Sequence, residues 1–474
     1  MILSQYSKQM SAILLGLTLS SLTALPAQAA DSITNYFFRT ISAPALAEQN
    51  NALMSALDAE RYTDALTLGK GLVDIAERDL TIDKMSYARA LSNAAILDAV
   101  SGDYLNAILQ TTKAIELIES SDPFHPDLLN ILMVKSYTHK AEAMNVDAED
   151  DLRRAQHIAH RMEGVYTKRQ IPIIESIASI KIANGEYRNA DQEQRFNLKV
   201  SEQAYGLASE ELTPTLERLG AYFADRGGSI PLNTVQEERL YRDRLFREST
   251  RMFERSIMII EDKHGADDLR LLAPLKGLSR TKYLQGYGRI HAERPMERAL
   301  DIVRRNPATD TIDQAKAMVL LADLYTITSD VRSSKLYLEA WQLLTEDEAY
   351  AELRYELFGR PHRLKPEAPI APVLFRHPVE VEEGNALFVD IQYDIREDGK
   401  VRNARVMDGN VPNADRRLMR DFVSTMRFRP RIVDGELTTT EGMTLHQTYR
   451  VKQKKSDKSL TVSSGVGGPS QLPN

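Results

Sequence analysis

Residues 94 to 118 read AAILDAVSGDYLNAILQTTKAIELI. Small residues fall at Ala95, Ala107 and Ala114, and Gly102-Asp103-Tyr104 separates two runs of good helix formers. Antiparallel helices approach closely only where the facing side chains are small, and an aromatic fills the adjacent gap. The stretch reads as helix, glycine turn, helix.

The register recurs. Upstream, Tyr62 and Ala65 match Tyr104 and Ala107. Downstream, Ala178, Gly185-Glu186-Tyr187 and Ala190 repeat the pattern, Gly220 and Gly227 follow, and Ala292, Met296, Ala299 and Ala322 continue it. The first-helix positions are Leu53, Ala95, Tyr137, Ala178, Gly220, Ser279 and Ala322, separated by 42, 42, 41, 42, 59 and 43 residues. The wide gap predicts an insertion of roughly 17 residues between Arg226 and Tyr241. The pattern resembles the tetratricopeptide repeat, in the longer form of kinesin-light-chain-like repeats, whose linker often contains His-Pro-Asp. His125-Pro126-Asp127 stands at that place, and Thr213-Pro214 echoes it. The resemblance implies a mainly α chain, with a superhelix of helical hairpins over 44–358 and a groove that takes other polypeptides. An irregular helical bundle is the alternative.

The chain has 474 residues, a formal charge of −7 and 43% hydrophobic residues. This suits a multi-domain globular protein and gives no support to nucleic-acid binding. Residues 1–30 carry Lys8, an apolar run from Ile13 to Leu25, Pro26 and Ala27-Gln28-Ala29-Ala30. That order predicts a cleavable secretory signal, with a retained anchor as the alternative, followed by a lead-in over 31–43. Cysteine is absent, so disulfides, thiolate metal sites and cysteine nucleophiles are excluded. The expected location is the periplasm, with inner-membrane association if the signal is retained.

After Phe358 the composition changes. Prolines at 361, 366, 369, 372 and 378 predict a semi-rigid linker over 359–378. A period of two then sets in, with Leu387, Val389, Ile391, Tyr393 and Ile395 alternating with polar residues apart from Phe388. Asp398-Gly399 signals a hairpin turn, and residues 400–407 return as a second strand. A helix is expected from Ala414 to Met426 and a third strand from Met443 to Val451. The polar, Gly- and Ser-rich tail over 453–474 predicts disorder.

Residues 379–452 thus form a small α+β unit, β-β-α-β. The segments IREDGKV, ARVMDGN and the helix leading into MRFRPRIVDGE resemble the C-terminal domain of the TonB energy-transducer family. The family's Trp-Arg-Phe is here Met426-Arg427-Phe428, and its Ser-Ser-Gly is Met407-Asp408-Gly409. The resemblance implies that Phe428 plugs the helix–sheet core and that Pro430 redirects the chain, with Asp398, Gly399 and Gly435 completing the structural motif. Arg427, Arg429 and Arg431 are expected on a solvated face. The last strand would be an exposed edge that pairs with an extended segment of another protein. Its outward residues are Thr444, His446, Thr448 and Arg450.

The function expected is a non-enzymatic periplasmic adaptor, accessory to TonB-type outer-membrane transport. Its array would hold envelope proteins, and its edge strand a segment of an outer-membrane TonB-dependent receptor. The alternatives are a general envelope assembly scaffold, or a membrane-retained transducer. No phosphate loop, His-Glu-x-x-His or Gly-x-Ser-x-Gly occurs, so no catalytic residue, cofactor or metal is assigned. His157 and His160 lie one helical turn apart, but no third ligand is evident.

Overall fold

In the hairpin quoted above, the Asp83 side chain accepts a hydrogen bond from the Ser86 N–H at 2.9 Å and caps a helix that runs Lys84–Ser101. Gly102 ends that helix at φ +89°, a left-handed conformation open to a residue without Cβ. Asp103 then caps the return helix, Tyr104–Glu119.

A computed structural model describes residues 38–231, 234–286, 289–365, 387–453 and 460–463. The expected signal peptide, most of the proline-rich linker and most of the tail lie outside these residues. The helices are α1 (Pro44–Asp58), α2 (Tyr62–Arg78), α3 (Lys84–Ser101), α4 (Tyr104–Glu119), α5 (Asp127–Ala141), α6 (Asn145–Glu163), α7 (Gln170–Ala183) and α8 (Tyr187–Tyr205). They continue with α9 (Thr213–Ser229), α10 (Gln236–His264), α11 (Leu272–Gln285), α12 (Arg289–Arg305), α13 (Thr311–Ile327), α14 (Arg332–Leu343) and α15 (Ala351–Phe358). Residues up to 226 together with 251–259 form one compact unit, and 227–250 with 260 onwards form a second.

In the first unit α1 packs on α2, α3 on α4, α5 on α6 and α7 on α8, and α2, α4 and α6 each pack on the helix that follows. This is a TPR-like array of helical hairpins. Small residues set the approach. A Cβ added at Gly69 would come within 2.7 Å of Leu97, and one at Gly220 within 2.8 Å of the Phe253 ring. Ala95, Ala107, Ala114, Ala178 and Ala190 are fully buried. Each large side chain between them, such as Leu128, Leu132 or Ile177, contributes roughly 1.5–3 kcal/mol by leaving water.

The seven first-helix positions fall one each in α1, α3, α5, α7, α9, α11 and α13. Tyr137, too large for a small-residue site, packs instead beside Ala95, Ala99 and Ala107 and meets the Tyr104 ring edge-on at 6.3 Å. Around 226–241, residues 226–229 close α9 and 236–241 open α10. α10 has 29 residues where α4, α6 and α8 have 16, 19 and 19.

In the second unit α11 packs on α12 and α13 on α14. The chain then forms strands β1 (His362–Lys365), β2 (Leu387–Ile395) and β3 (Val401–Gly409), helix α16 (Asn413–Thr425), and strands β4 (Arg427–Arg429), β5 (Arg431–Val433), β6 (Glu436–Thr438), β7 (Thr440–Gln453) and β8 (Leu460–Ser463). The main sheet is antiparallel in the order β3–β2–β7–β8. Met419 and Val423 of α16 join Val389, Ile391, Met426 and Phe428 in its core.

Three features depart from the expectations. Residues 362–365, expected in a linker, pair with β4, because the run between Pro361 and Pro366 is free of proline and keeps its backbone donors. Residues 460–463, expected in a disordered tail, pair with Arg450–Gln453, and the run LTVS carries the β-branched residues that suit a strand. Arg429, expected on a solvated face, is half-buried, with its side chain turned inward.

Candidate docking surfaces

The Arg-Phe-Arg-Pro segment is where the chain changes partners. β4 pairs with β1, and β5 pairs with β6, with buried Pro430 between them. Phe428 is buried and faces the Tyr393 ring at 5.8 Å. Its N–H donates to Gly399 O at 2.9 Å. Gly399 turns at φ +75°, and a Cβ there would stand 2.0 Å from Phe428 O and 2.8 Å from Thr326. The Asp398-Gly399 turn is thus pressed between β4 and α13, and Asp398 accepts from Lys400 Nζ at 3.0 Å. Gly435, at φ +82°, closes the β5–β6 hairpin with its Cβ position 3.3 Å from Trp341.

Arg429 fixes this segment to the last hairpin of the array. Its Nε and Nη2 donate to the two Asp323 carboxylate oxygens at 2.9 and 2.7 Å, and Nη1 donates to Leu357 O at 3.1 Å. The Arg429 and Asp323 side chains are 11% and 13% exposed. The Tyr337 hydroxyl donates to Asp323 Oδ1 at 2.7 Å. A bidentate pair with its remaining polar atoms satisfied is the geometry in which a buried charge is tolerated. Ile432 and Leu437 add apolar contact with the same hairpin.

β7 carries the residues singled out for partner binding. Met443 and Leu445 pack inward, and Thr444 and His446 are exposed on the opposite face with Thr448 half-buried. His446 Nδ1 lies 2.5 Å from Asp390 Oδ1, and its ring is 5.5 Å from Phe388.

Backbone hydrogen bonds fix the direction in which β7 points its N–H and C=O groups. Phe388 N–H donates to Asn410 Oδ1 and Phe388 O accepts from Asn410 N–H, so both groups point away from β7. Phe388 stands opposite Thr448. In an antiparallel ladder that makes theirs a pair without mutual hydrogen bonds, so the Thr448 N–H and C=O also point away from β2. Alternation gives His446 and Thr444 the same sense. Gln447 Nε2 donates to Thr448 O at 2.8 Å on that outer side. Among the described residues this edge is paired only at Arg450–Gln453, by β8. Arg450 is therefore not available as expected: the chain's own Ser463 stands opposite it.

The first hairpins hold a third surface, which the sequence reading did not single out. Residues 38–43 precede α1 without regular structure. They lie against Asn93 and Arg89 of α3 and Asp127 of α5, the aspartate of His125-Pro126-Asp127. His157 packs on Phe124, with ring centroids 5.8 Å apart, and burial holds His160 below the usual imidazole range. No group of three or more potential metal ligands is found among the described residues. Nor, among these residues, is any helix long and apolar enough to cross a membrane.

No protein-family model matches the chain, and no curated protein matches it in sequence. Solved structures similar to it include TPR-like repeats of a kinesin-light-chain-type protein from Podosopora anserina, at 12% identity and TM-score 0.38, covering 46% of this chain and 95% of that one. BtubC (BKLC) from P. vanneervenii matches at 13% identity and TM-score 0.36, over 60% of this chain and 98% of its own. The apo quorum sensor NprR from B. thuringiensis matches at 10% identity and TM-score 0.34, over 75% and 98%. The hairpin array is seen in the helix pairing itself.

Proposed function

We propose that the protein is an exported adaptor of the bacterial envelope, in which the helical array holds one polypeptide and β7 adds a strand from another. Arrays of helical hairpins serve as protein–protein scaffolds, and that is the part the fold itself supports. The finer reading is a periplasmic accessory to TonB-type outer-membrane transport. Its support is the likeness of residues 379–452 to the TonB C-terminal domain together with the signal-like residues 1–30.

The observation that carries the edge-pairing half is the outward direction of the Thr444, His446 and Thr448 backbone groups. A partner strand laid there gains main-chain hydrogen bonds without disturbing the β2–β7 ladder. The segment it would receive is the extended stretch of an outer-membrane TonB-dependent receptor.

Thr448→Pro tests this directly. It removes an N–H that β2 does not use, so the sheet is expected to keep its melting temperature. Photocrosslinking from position 444 in intact cells is expected to trap an envelope protein in the unchanged chain and to lose it in the proline variant. Equal crosslinking in both would remove strand addition. Sequencing the mature N-terminus is the companion measurement, with Ala30 or Asp31 as the expected first residue.

A further inference from the structure

Asn93 is 1% exposed, and its carboxamide is spent entirely on the backbone of one residue. Its Oδ1 accepts from Arg39 N–H at 2.8 Å, and its Nδ2 donates to Arg39 O at 3.0 Å. Arg89 Nη1 donates to the next carbonyl, Thr40 O, at 3.2 Å. Arg39 Nε stands 3.5 Å from Asp127 Oδ1, while the other Asp127 oxygen takes Arg89 Nε at 2.8 Å. On either side Phe38 and Ile41, 8% and 6% exposed, enter the apolar cluster of Leu46, Leu53, Ala90 and Val134.

We infer that the face made by α3 and α5 is a binding site for an extended polypeptide of the pattern apolar–Arg–any–apolar, and that residues 38–41 fill it in cis. Three of the contacts are to main-chain groups and would form with any extended backbone. The arginine is read by Asp127, and the apolar residues by the cluster on either side of it. Arg89 and Asp127, which both touch the segment, also pair with each other across α3 and α5. Lifting the segment away would take both partners from the Asn93 carboxamide and open the apolar cluster around Leu46 and Val134 to water, which costs free energy. The face therefore calls for an occupant, and a partner segment of the same pattern competes with residues 38–41 for it. This deepens the array half of the adaptor reading and rests on it, but uses nothing of β7.

The test uses the full chain without its first thirty residues and a fluorescent synthetic peptide of residues 34–43. With residues 31–43 removed, the vacated chain is expected to bind the peptide saturably, and the unchanged chain at least tenfold more weakly. Adding Asn93→Leu, or using a peptide with Arg39→Glu, is expected to weaken binding tenfold or more. A folded vacated chain that ignores the peptide, or binds it equally well with Asn93→Leu, overturns the inference. If the vacated chain does not fold, hydrogen exchange on the unchanged chain decides. Exchange over 38–43 at least a hundredfold faster than over α3 supports a displaceable occupant, and equal protection overturns it. Either failure leaves the Thr448→Pro result unaffected.

Discussion

The helical array and the C-terminal sheet are held by contacts of different kinds. Hairpins in the array meet at positions, most of them small residues, that return every 41 to 43 residues apart from one gap of 59, so each contact joins neighbouring helices and most resemble the next one. The sheet region is joined to the last hairpin by contacts that occur once. Arg429 and Asp323 are 106 residues apart in the chain, and nothing periodic links them. A repeated contact can lose one member and keep the pattern, whereas a unique one has no substitute.

Breaking the unique contact is expected to have the largest effect. Arg429→Met leaves Asp323 and the Tyr337 hydroxyl buried without their cation, and is expected to cost about 3–5 kcal/mol by urea denaturation. The double variant Arg429→Met with Asp323→Leu is expected to recover most of that loss. Failure to recover would mean that the pair fixes the segment's geometry rather than merely balancing charge.

Gly220→Ala probes the repeated contact. The new methyl must displace the Phe253 ring, while alanine gains roughly 1 kcal/mol of helix propensity over glycine. A net loss of about 1 kcal/mol is expected in the same assay. A loss as large as that of Arg429→Met would erase the distinction drawn above.

The smallest effect concerns pH within the sheet. Asp394 accepts from the Gly442 N–H at 2.9 Å and from the Asn403 amide at 2.7 Å, and these bonds hold its carboxyl below the usual range. Its folded pKa lies below its unfolded one, so this stability is present above about pH 4 and is lost as pH falls through the folded value. Asp394→Asn is expected to flatten the fall in the urea midpoint between about pH 5 and about pH 3.

Much of the sheet was readable. The alternation over 387–395 matches the inward face of β2, and the Asp398-Gly399 turn and the helix before Phe428 stand within a residue of where the sequence puts them. Arg427 and Arg431 look no different from Arg429 in the sequence, and only Arg429 finds a buried carboxylate. β1 was hidden because proline-rich composition outweighs a four-residue run between two prolines. The edge residues Thr444, His446 and Thr448 could be placed on one face by period two alone. Which way their backbone groups point required the register against β2.

The chain by itself determined the hairpins, because helix propensity, glycine turns and small residues act over one repeat and leave a period that can be counted. It also determined the face each strand buries, since side-chain direction alternates with position. Only the tertiary structure decided which Asp meets Arg429, which carboxamide holds Arg39, and where β8 covers β7. The first two join residues 106 and 54 positions apart, the third joins a strand to a short run the composition marks as tail, and one chemically matched pair leaves no periodic trace.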